Sequence, residues 1–350
     1  MMRASLLLAE RLVPSQVTRE FRAMGCQMAM TVEGNPSAAL FDAGISFLEQ
    51  VEATLSRFRP ASELSRLNAR AGQWVRISPL LESVLRVAVR AAAATDGMCT
   101  PTMLDALVAA GYDRDFGQVA GGLKPAAQAQ DHVPGGDVTA LHHAPRHVSA
   151  RRLRAGRPAP GGRTAWRQIR FSTAGDAVKV PAGVHLDLAG VAKGWSAERV
   201  ADILAGAGPC LVDAGGDITA RGAPTGLPGW AVDVASPLES APDLATVYLR
   251  DVGIATSGTD YRRWRFGESV RHHLIDPRTC KPSTTDVLSA TVIAPTALQA
   301  DIHAKVALLL GIRRGLEHLS AQNLAGLLVH RDGHCFTTRL WSRYANPTIA

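Results

Sequence analysis

Residues 185–206 constrain the fold of this chain more than any other stretch, because the residue pattern changes character within them. A short strand is expected to end at Asp187, and a glycine-containing turn, Ala189-Gly190-Val191-Ala192-Lys193-Gly194, follows it. Ala197, Val200, Ala201 and Leu204 then recur at i, i+3, i+4 and i+7, the stripe of a helix with one buried face. Such a junction turns backbone N–H groups and the positive end of the helix dipole outward. That suits a pyrophosphate, and Lys193 adds a full charge. The G-x-x-x-x-G-K-[ST] order is absent, so this is not a Walker A loop. A plain tight turn with a solvated lysine accounts for the same residues.

Around this junction the periodicity continues. Residues 27–32 read as extended, and Phe41, Ile45, Leu48 and Leu55 mark the apolar face of a helix. A second helix opens at Ser78-Pro79, with serine as N-cap and proline at the first helical position. A loop is expected around Asp96-Gly97, and structure resumes after the insertion with strand-like residues 178–188. Leu211-Val212-Asp213-Ala214-Gly215-Gly216-Asp217-Ile218 reads as a strand interrupted by two glycines, either a bulge or a place where a ligand or another backbone comes close. Ala255-Thr256-Ser257-Gly258-Thr259-Asp260 reads as a hydroxyl-rich turn. A last helix opens at Thr296 with Gln299 three residues on, and buries Ile302, Val306, Leu309 and Leu310.

The chain has 350 residues, 46% hydrophobic and 20% charged, enough for a full core in one large domain or two modest ones. The apolar run Leu6-Leu7-Leu8-Ala9 is cut short by Glu10 and Arg11, so neither a secretory core nor a transmembrane helix is expected there. Ala23-Met24-Gly25-Cys26 has the look of a lipoprotein cleavage site, but the residues before it are charged, and no membrane anchor is expected. These features predict a cytoplasmic protein. Five widely spaced cysteines without a C-x-x-C pair argue against a disulfide framework and against a zinc site. The formal charge of +7 is concentrated in Arg146, Arg151, Arg152, Arg154, Arg157, Arg163, Arg167 and Arg170, interleaved with Pro and Gly. Such a stretch reads as a surface insertion. Nucleic-acid binding through it lacks the aromatic residues that stack bases, Trp166 being the one candidate, and no nucleic acid is expected as partner.

Two further clusters carry charge suited to phosphate. His272-His273-Leu274-Ile275-Asp276-Pro277-Arg278-Thr279 packs imidazoles, a carboxylate and a guanidinium around a proline turn, and Asp301 lies one helical turn from Lys305.

Read in order, Met24-Gly25, the stretch from Ser56-Arg57-Phe58 to Asn68, Thr95-Asp96-Gly97, Asp187 to Gly194, Gly215-Gly216-Asp217, Ala255-Thr256-Ser257-Gly258 and His273 to Thr279 strongly resemble the ApbE family, the FAD:protein FMN transferases. The resemblance runs over about residues 17–338. It implies one α+β domain of the T-fold kind over 17–345, with a loop-like or disordered insertion at 116–163 and an extension at 1–16. It further implies a protein that binds FAD, uses Mg2+, and moves FMN onto a threonine or serine of an acceptor protein through a phosphoester bond, releasing AMP.

Carried over residue by residue, the resemblance has Met24, Phe58 and the Cys99-Thr100-Pro101 turn lining the flavin nucleotide. Asp187 and Lys193 bind FAD, and Leu274 and Ile275 contact it by backbone or packing. The Gly190 carbonyl and Asp301 hold the metal. His273 is the candidate base for the acceptor hydroxyl, since imidazole titrates near neutral pH. Asp276 orients it or holds the loop, and His272 is structural.

Three positions depart from the family pattern. Lys305 stands where a metal-binding threonine is usual, Thr100 replaces an aspartate, and Cys280 replaces a glycine, which implies a shifted loop if that position needs positive φ. An ammonium cannot ligate magnesium. The ion binds through Asp301, Gly190 and water, or Lys305 substitutes for it electrostatically, or the protein binds FAD without transferring FMN; an ordinary surface ion pair between Asp301 and Lys305 is the plain fourth reading. From other classes, a non-transferring FAD-binding or FAD-hydrolysing protein and a nucleic-acid-binding protein remain as alternatives.

Overall fold

The computed structural model describes residues 15–119, 122–123, 161–238 and 241–345. Its centre is an eight-stranded sheet in which every neighbouring pair is antiparallel. The order across it is Gln16–Ala23, Cys26–Glu33, Cys210–Ala214, Ile218–Arg221, Gly253–Gly258, Val287–Ala294, Ala325–His330, Cys335–Thr337.

Helices α1 (Ala38–Leu55), α2 (Glu63–Ala69), α3 (Pro79–Ala94), α4 (Leu104–Ala109), α5 (Ala189–Leu204), α6 (Ala297–Leu310) and α7 (Ile312–Ala321) complete the frame. Helix α5 packs on the strands Cys210–Ala214 and Ile218–Arg221, and α6 on Gly253–Gly258 and Val287–Ala294. The opposite face of the sheet is covered by the hairpin Trp230–Val234/Ala245–Leu249 and by Trp341. Both faces of Val287–Ala294 are therefore buried, and it shows a nearly continuous apolar run instead of alternation. No helix among the described residues is long and apolar enough to cross a membrane.

The α+β class holds, and so do the caps. Ser78 Oγ accepts the Leu81 N–H at 3.3 Å with Pro79 at the first position of α3, and Thr296 Oγ1 accepts the Gln299 N–H at 3.2 Å at the start of α6. Phe41, Leu48 and Leu55 of α1 are buried, while Ile45 is half-buried.

Four local expectations are corrected. Of residues 178–188 only the end of Ala177–Lys179 is strand, and no strand ends at Asp187. Pro181 and Gly183 break the ladder, and the Asn68 side chain takes the place of a neighbouring strand. It donates to the Leu186 carbonyl at 2.9 Å and accepts the Leu186 N–H at 2.8 Å. Residues 189–194 are the first turns of α5, not a separate turn. The glycines at 215 and 216 do not interrupt a strand: with φ of +68° and +92° they form the two-residue turn of a hairpin, the geometry whose twist matches paired strands. Residues 255–258 are not a turn but lie in the strand Gly253–Gly258.

Parts of the expected insertion lie among the described residues. Phe116–Gln118 forms a 3-10 turn, Gly122–Leu123 pairs with Arg263 and Trp264, and the described residues continue from Gly161. Arg146, Arg151, Arg152, Arg154 and Arg157 lie outside the described residues, as do residues 1–14 of the expected extension. Arg163 and Arg167 both engage the Asp96 carboxylate, which ties the end of this segment to the loop after α3.

Candidate active site

Two hairpin turns lie side by side at one end of the sheet. Met24-Gly25 joins the first two strands with φ of +53° and +71°, a left-handed geometry that methionine adopts at a cost, and Glu52 Oε2 accepts the Met24 N–H at 2.9 Å. The turn at Gly215-Gly216 sits so close that a Cβ on Gly215 would lie 2.6 Å from Cys26 Cβ. Alanine there meets both a clash and a positive φ.

Under these turns α5 and α6 run antiparallel. A Cβ on Gly194 would be 2.8 Å from the Leu298 backbone, so only glycine lets the helices approach this closely. The buried Glu198 carboxylate accepts the Leu298 N–H at 2.9 Å and shares the capping of α6 with Thr296. This packing sets Gly190 opposite Lys305. Lys305 Nζ donates to the Gly190 carbonyl at 3.0 Å and to Asp301 Oδ1 at 3.4 Å, while Asp301 Oδ2 is buried without a hydrogen-bond partner. The pair is buried, with side-chain exposures of 18% and 8%, and is not the surface ion pair of the plain reading. Burial works against the Lys305 charge, but Asp301, Cys99 and Asp217 outweigh it and hold the ammonium above the ordinary lysine range.

Lys193, on the second turn of α5, lies 2.9 Å from Asp217 Oδ2 just beyond the glycine turn. That contact is an ion pair without hydrogen-bond alignment. Burial pushes the Asp217 carboxyl up to about 6 against the pull of Lys193.

His273 faces the same cluster. Its Nδ1 is buried and unpartnered, and burial, reinforced by Arg262, His272, Lys305 and Lys193, holds its pKa well below the ordinary histidine range. The ring is neutral at pH 7 with an acceptor lone pair to offer. His272 instead uses Nε2 against the Ser283 carbonyl at 2.9 Å, in keeping with a structural role.

Asp276 has both carboxylate oxygens engaged by Arg278, whose Nη2 donates to the Leu309 carbonyl at 2.7 Å. Of its two expected roles, this geometry fits holding the loop to the end of α6. Cys280 has φ +55°, so cysteine holds a left-handed geometry that the expected glycine would take freely. Leu274 and Ile275 point their side chains into two different apolar clusters.

Asp187 is also occupied. Its Oδ2 pairs with Arg57 Nε at 2.7 Å, and its Oδ1 accepts the Ala189 N–H at 2.7 Å at the start of α5. Arg57 lies against the rings of both Phe58 and Tyr112, 4.1 and 4.5 Å from their centroids, and leaves Nη2 buried and unpartnered. The Asp187 N–H donates to the Pro101 carbonyl at 2.8 Å, and the Thr100 and Thr102 hydroxyls hydrogen-bond each other at 2.9 Å. Cys99 is buried within the field of Lys305 and Asp301, and burial raises its thiol.

Three residues of the cluster were not assigned roles from sequence. Arg57 and Asp217 stand inside motifs that carried the resemblance, but nothing local marks them as an ion-pair partner and a lysine partner. Arg262, whose Nη2 reaches Cys26 Sγ at 3.3 Å, has no signal in the sequence at all.

A family model described as the ApbE family matches residues 24–328. The chain belongs to the ApbE family. Relatives named FAD:protein FMN transferase include one from Escherichia coli (strain K12), 32% identical over 159 residues, and one from Haemophilus influenzae, 33% identical over 171 residues. These matches cover 44% and 47% of this ApbE-family chain and 45% and 49% of the relatives, so the chain spans about half the length of the curated relatives it matches. Among solved structures, the ApbE protein of Thermotoga maritima superposes with a TM-score of 0.77 at 21% identity over 95% of this chain and all of that one. The apo flavinyl transferase ApbE of Pseudomonas stutzeri does so with a TM-score of 0.73 at 22% identity over 94% of this chain and 96% of that one. These two likenesses show the ApbE fold.

The metal expected from the resemblance does not fit the donor set. Lys305 Nζ already donates to the Gly190 carbonyl and to one oxygen of the Asp301 carboxylate, the groups expected to ligate the ion, and sets an ammonium beside the remaining, unpartnered Oδ2. Among the described residues no group of three His, Cys, Asp or Glu comes together as metal ligands.

Proposed function

We propose that this protein transfers FMN from FAD to a threonine or serine of an acceptor protein. The observation that carries the reading is the convergence, in an ApbE-family chain, of buried cations and one neutral imidazole under two glycine turns: Lys193, Lys305 and Arg262 around His273.

The acceptor hydroxyl oxygen attacks the phosphorus of the FMN half of the FAD diphosphate. A new P–O bond forms as the bond to the bridging oxygen breaks, and AMP leaves with that electron pair. His273, neutral and with Nδ1 free, takes the hydroxyl proton. The cations meet the charge that gathers on the phosphoryl and bridging oxygens, where a water-poor setting makes each of them count for more. The cluster of Asp187, Arg57, Phe58 and Tyr112 fixes the start of α5, whose leading N–H groups face an anion favourably. Met24, Phe58 and the Cys99–Pro101 turn supply the wall for the flavin nucleotide.

Intact-mass spectrometry of an acceptor domain carrying a target threonine, incubated with this protein and FAD, tests the reading. An FMN-sized mass gain with release of AMP is expected. Absence of any gain, while another ApbE protein modifies the same acceptor in parallel, counts against it.

A further inference from the structure

The ammonium of Lys305 sits where two backbone and carboxylate oxygens from different helices converge, which is a cation site by any chemical reading. It is held from both sides: Gly190 O at 3.0 Å from α5 and Asp301 Oδ1 at 3.4 Å within α6. A Cβ on Gly190 would come within 2.9 Å of Nζ, so a side chain at this position would push the ammonium from its present seat. An ammonium has three donors, and the protein takes two of them among the described residues. The third is free for a ligand oxygen. The Asp301–Lys305 pair is neutral in sum, so it brings no net repulsion or attraction of its own to a distant anion. A close phosphate oxygen gains from the ammonium as the nearer donor, with the unpartnered Asp301 Oδ2 as the opposing charge beside it. Lys193 and Arg262 add further positive charge near His273.

We infer that Lys305 is the built-in cation of this site: its ammonium, seated between Gly190 O and Asp301 Oδ1, meets the FAD diphosphate directly, and FAD binding needs no divalent metal. This rests on the FAD-dependent reading above, but concerns binding, which can be measured without transfer. It also distinguishes this chain from one with threonine at the same position. There the Asp301 carboxylate and the Gly190 carbonyl would be released to ligate an ion.

The test is FAD affinity by flavin fluorescence, in EDTA and in millimolar magnesium, for the wild type, Lys305→Met and Lys305→Thr. Thermal melts establish that the variants are folded. Calorimetric titration with magnesium alone supplies a readout independent of FAD. The wild type is expected to bind FAD equally in both buffers, to within about twofold, and to show no magnesium heat. Lys305→Met should bind about tenfold or more weakly in both, the loss of one charge-assisted hydrogen bond. Lys305→Thr should be as weak in EDTA, recover in magnesium, and acquire a magnesium heat. A wild type that loses FAD in EDTA and regains it with magnesium overturns the inference without any variant being needed, as does unchanged affinity in Lys305→Met. A wild type that holds FAD in EDTA yet never modifies an acceptor sinks the transferase reading and leaves the role of Lys305 standing. If the wild type binds no FAD under either condition, both fall.

Discussion

Lys193 and Lys305 each face an aspartate in the same cluster, but the two pairs are built on different scales. Asp301 and Lys305 are one turn apart on α6, and their geometry is set by the helix before anything else packs. Lys193 and Asp217 come from α5 and from the turn of the Cys210–Ala214/Ile218–Arg221 hairpin, and meet only when helix and sheet have docked. The local pair holds a third group from another element, the Gly190 carbonyl. Lys193 makes no hydrogen bond to a third element among the described residues, and its side chain keeps a 20% exposure. The first pair resembles a fixed fitting and the second an adjustable one.

The largest expected effect comes from breaking the fixed pair. Asp301→Ala leaves the Lys305 ammonium buried with a single carbonyl for company, which should destabilise the fold by about 3–5 kcal/mol, read from urea unfolding. The same cost should shrink greatly in the double variant Asp301→Ala/Lys305→Met, where no charge is stranded. Equal losses in the single and double variants would mean that packing of α6, not charge compensation, sets the stability there.

These two pairs also mark what the sequence made legible. Asp301 and Lys305 were visible together because helical spacing is a local rule, and the cap at Thr296 announced the helix that carries them. The caps of α3 and α6 were legible for the same reason. Lys193 was placed as a phosphate-facing residue but without its partner, because the pairing of α5 with a hairpin turn is decided by tertiary packing. The stretch before α5 misled for a physical reason: Asn68 supplies from far along the chain the two hydrogen bonds that a neighbouring strand would have made. Gly215 and Gly216 misled because paired positive-φ residues look like a defect in one strand until the second strand is seen to fold back. Cys280 shows the converse, since the left-handed position was legible but cysteine's tolerance of it was not.

A smaller effect separates the adjustable pair from the fixed one by pH. The folded Asp217 carboxyl, at about 6, lies above its unfolded value of 3.8, so between these values the folded state holds more protons than the unfolded chain. The contribution of this group to stability is thus fully present below the unfolded value and is lost as pH rises through about 6. Lys193→Met removes a partner that pulls the pKa down, raises it further, and deepens the penalty on the alkaline side. The variant should lose roughly 2 kcal/mol at about pH 8 and clearly less at about pH 5, because a carboxyl can escape its penalty by protonation. A deficit independent of pH would show that Asp217 keeps its charge through other contacts.

The smallest expected effect compares the two lysines through the imidazole between them. Arg262, His272, Lys305 and Lys193 all act on His273 in the same direction, with Lys305 ahead of Lys193, and burial is the largest single cause. Removing a cation should therefore raise the His273 pKa without restoring it to the ordinary value. NMR titration of the His273 ring should place the rise at about one pH unit or less in Lys305→Met, and smaller still in Lys193→Met. The order matters more than the size. The Lys305 ammonium is held by both Gly190 O and Asp301 Oδ1, whereas Lys193 faces Asp217 with a partly exposed side chain. If Lys193→Met moves His273 more than Lys305→Met does, the charge of Lys305 is already neutralised by Asp301 at the ring, and the adjustable lysine is the cation that keeps the candidate base unprotonated.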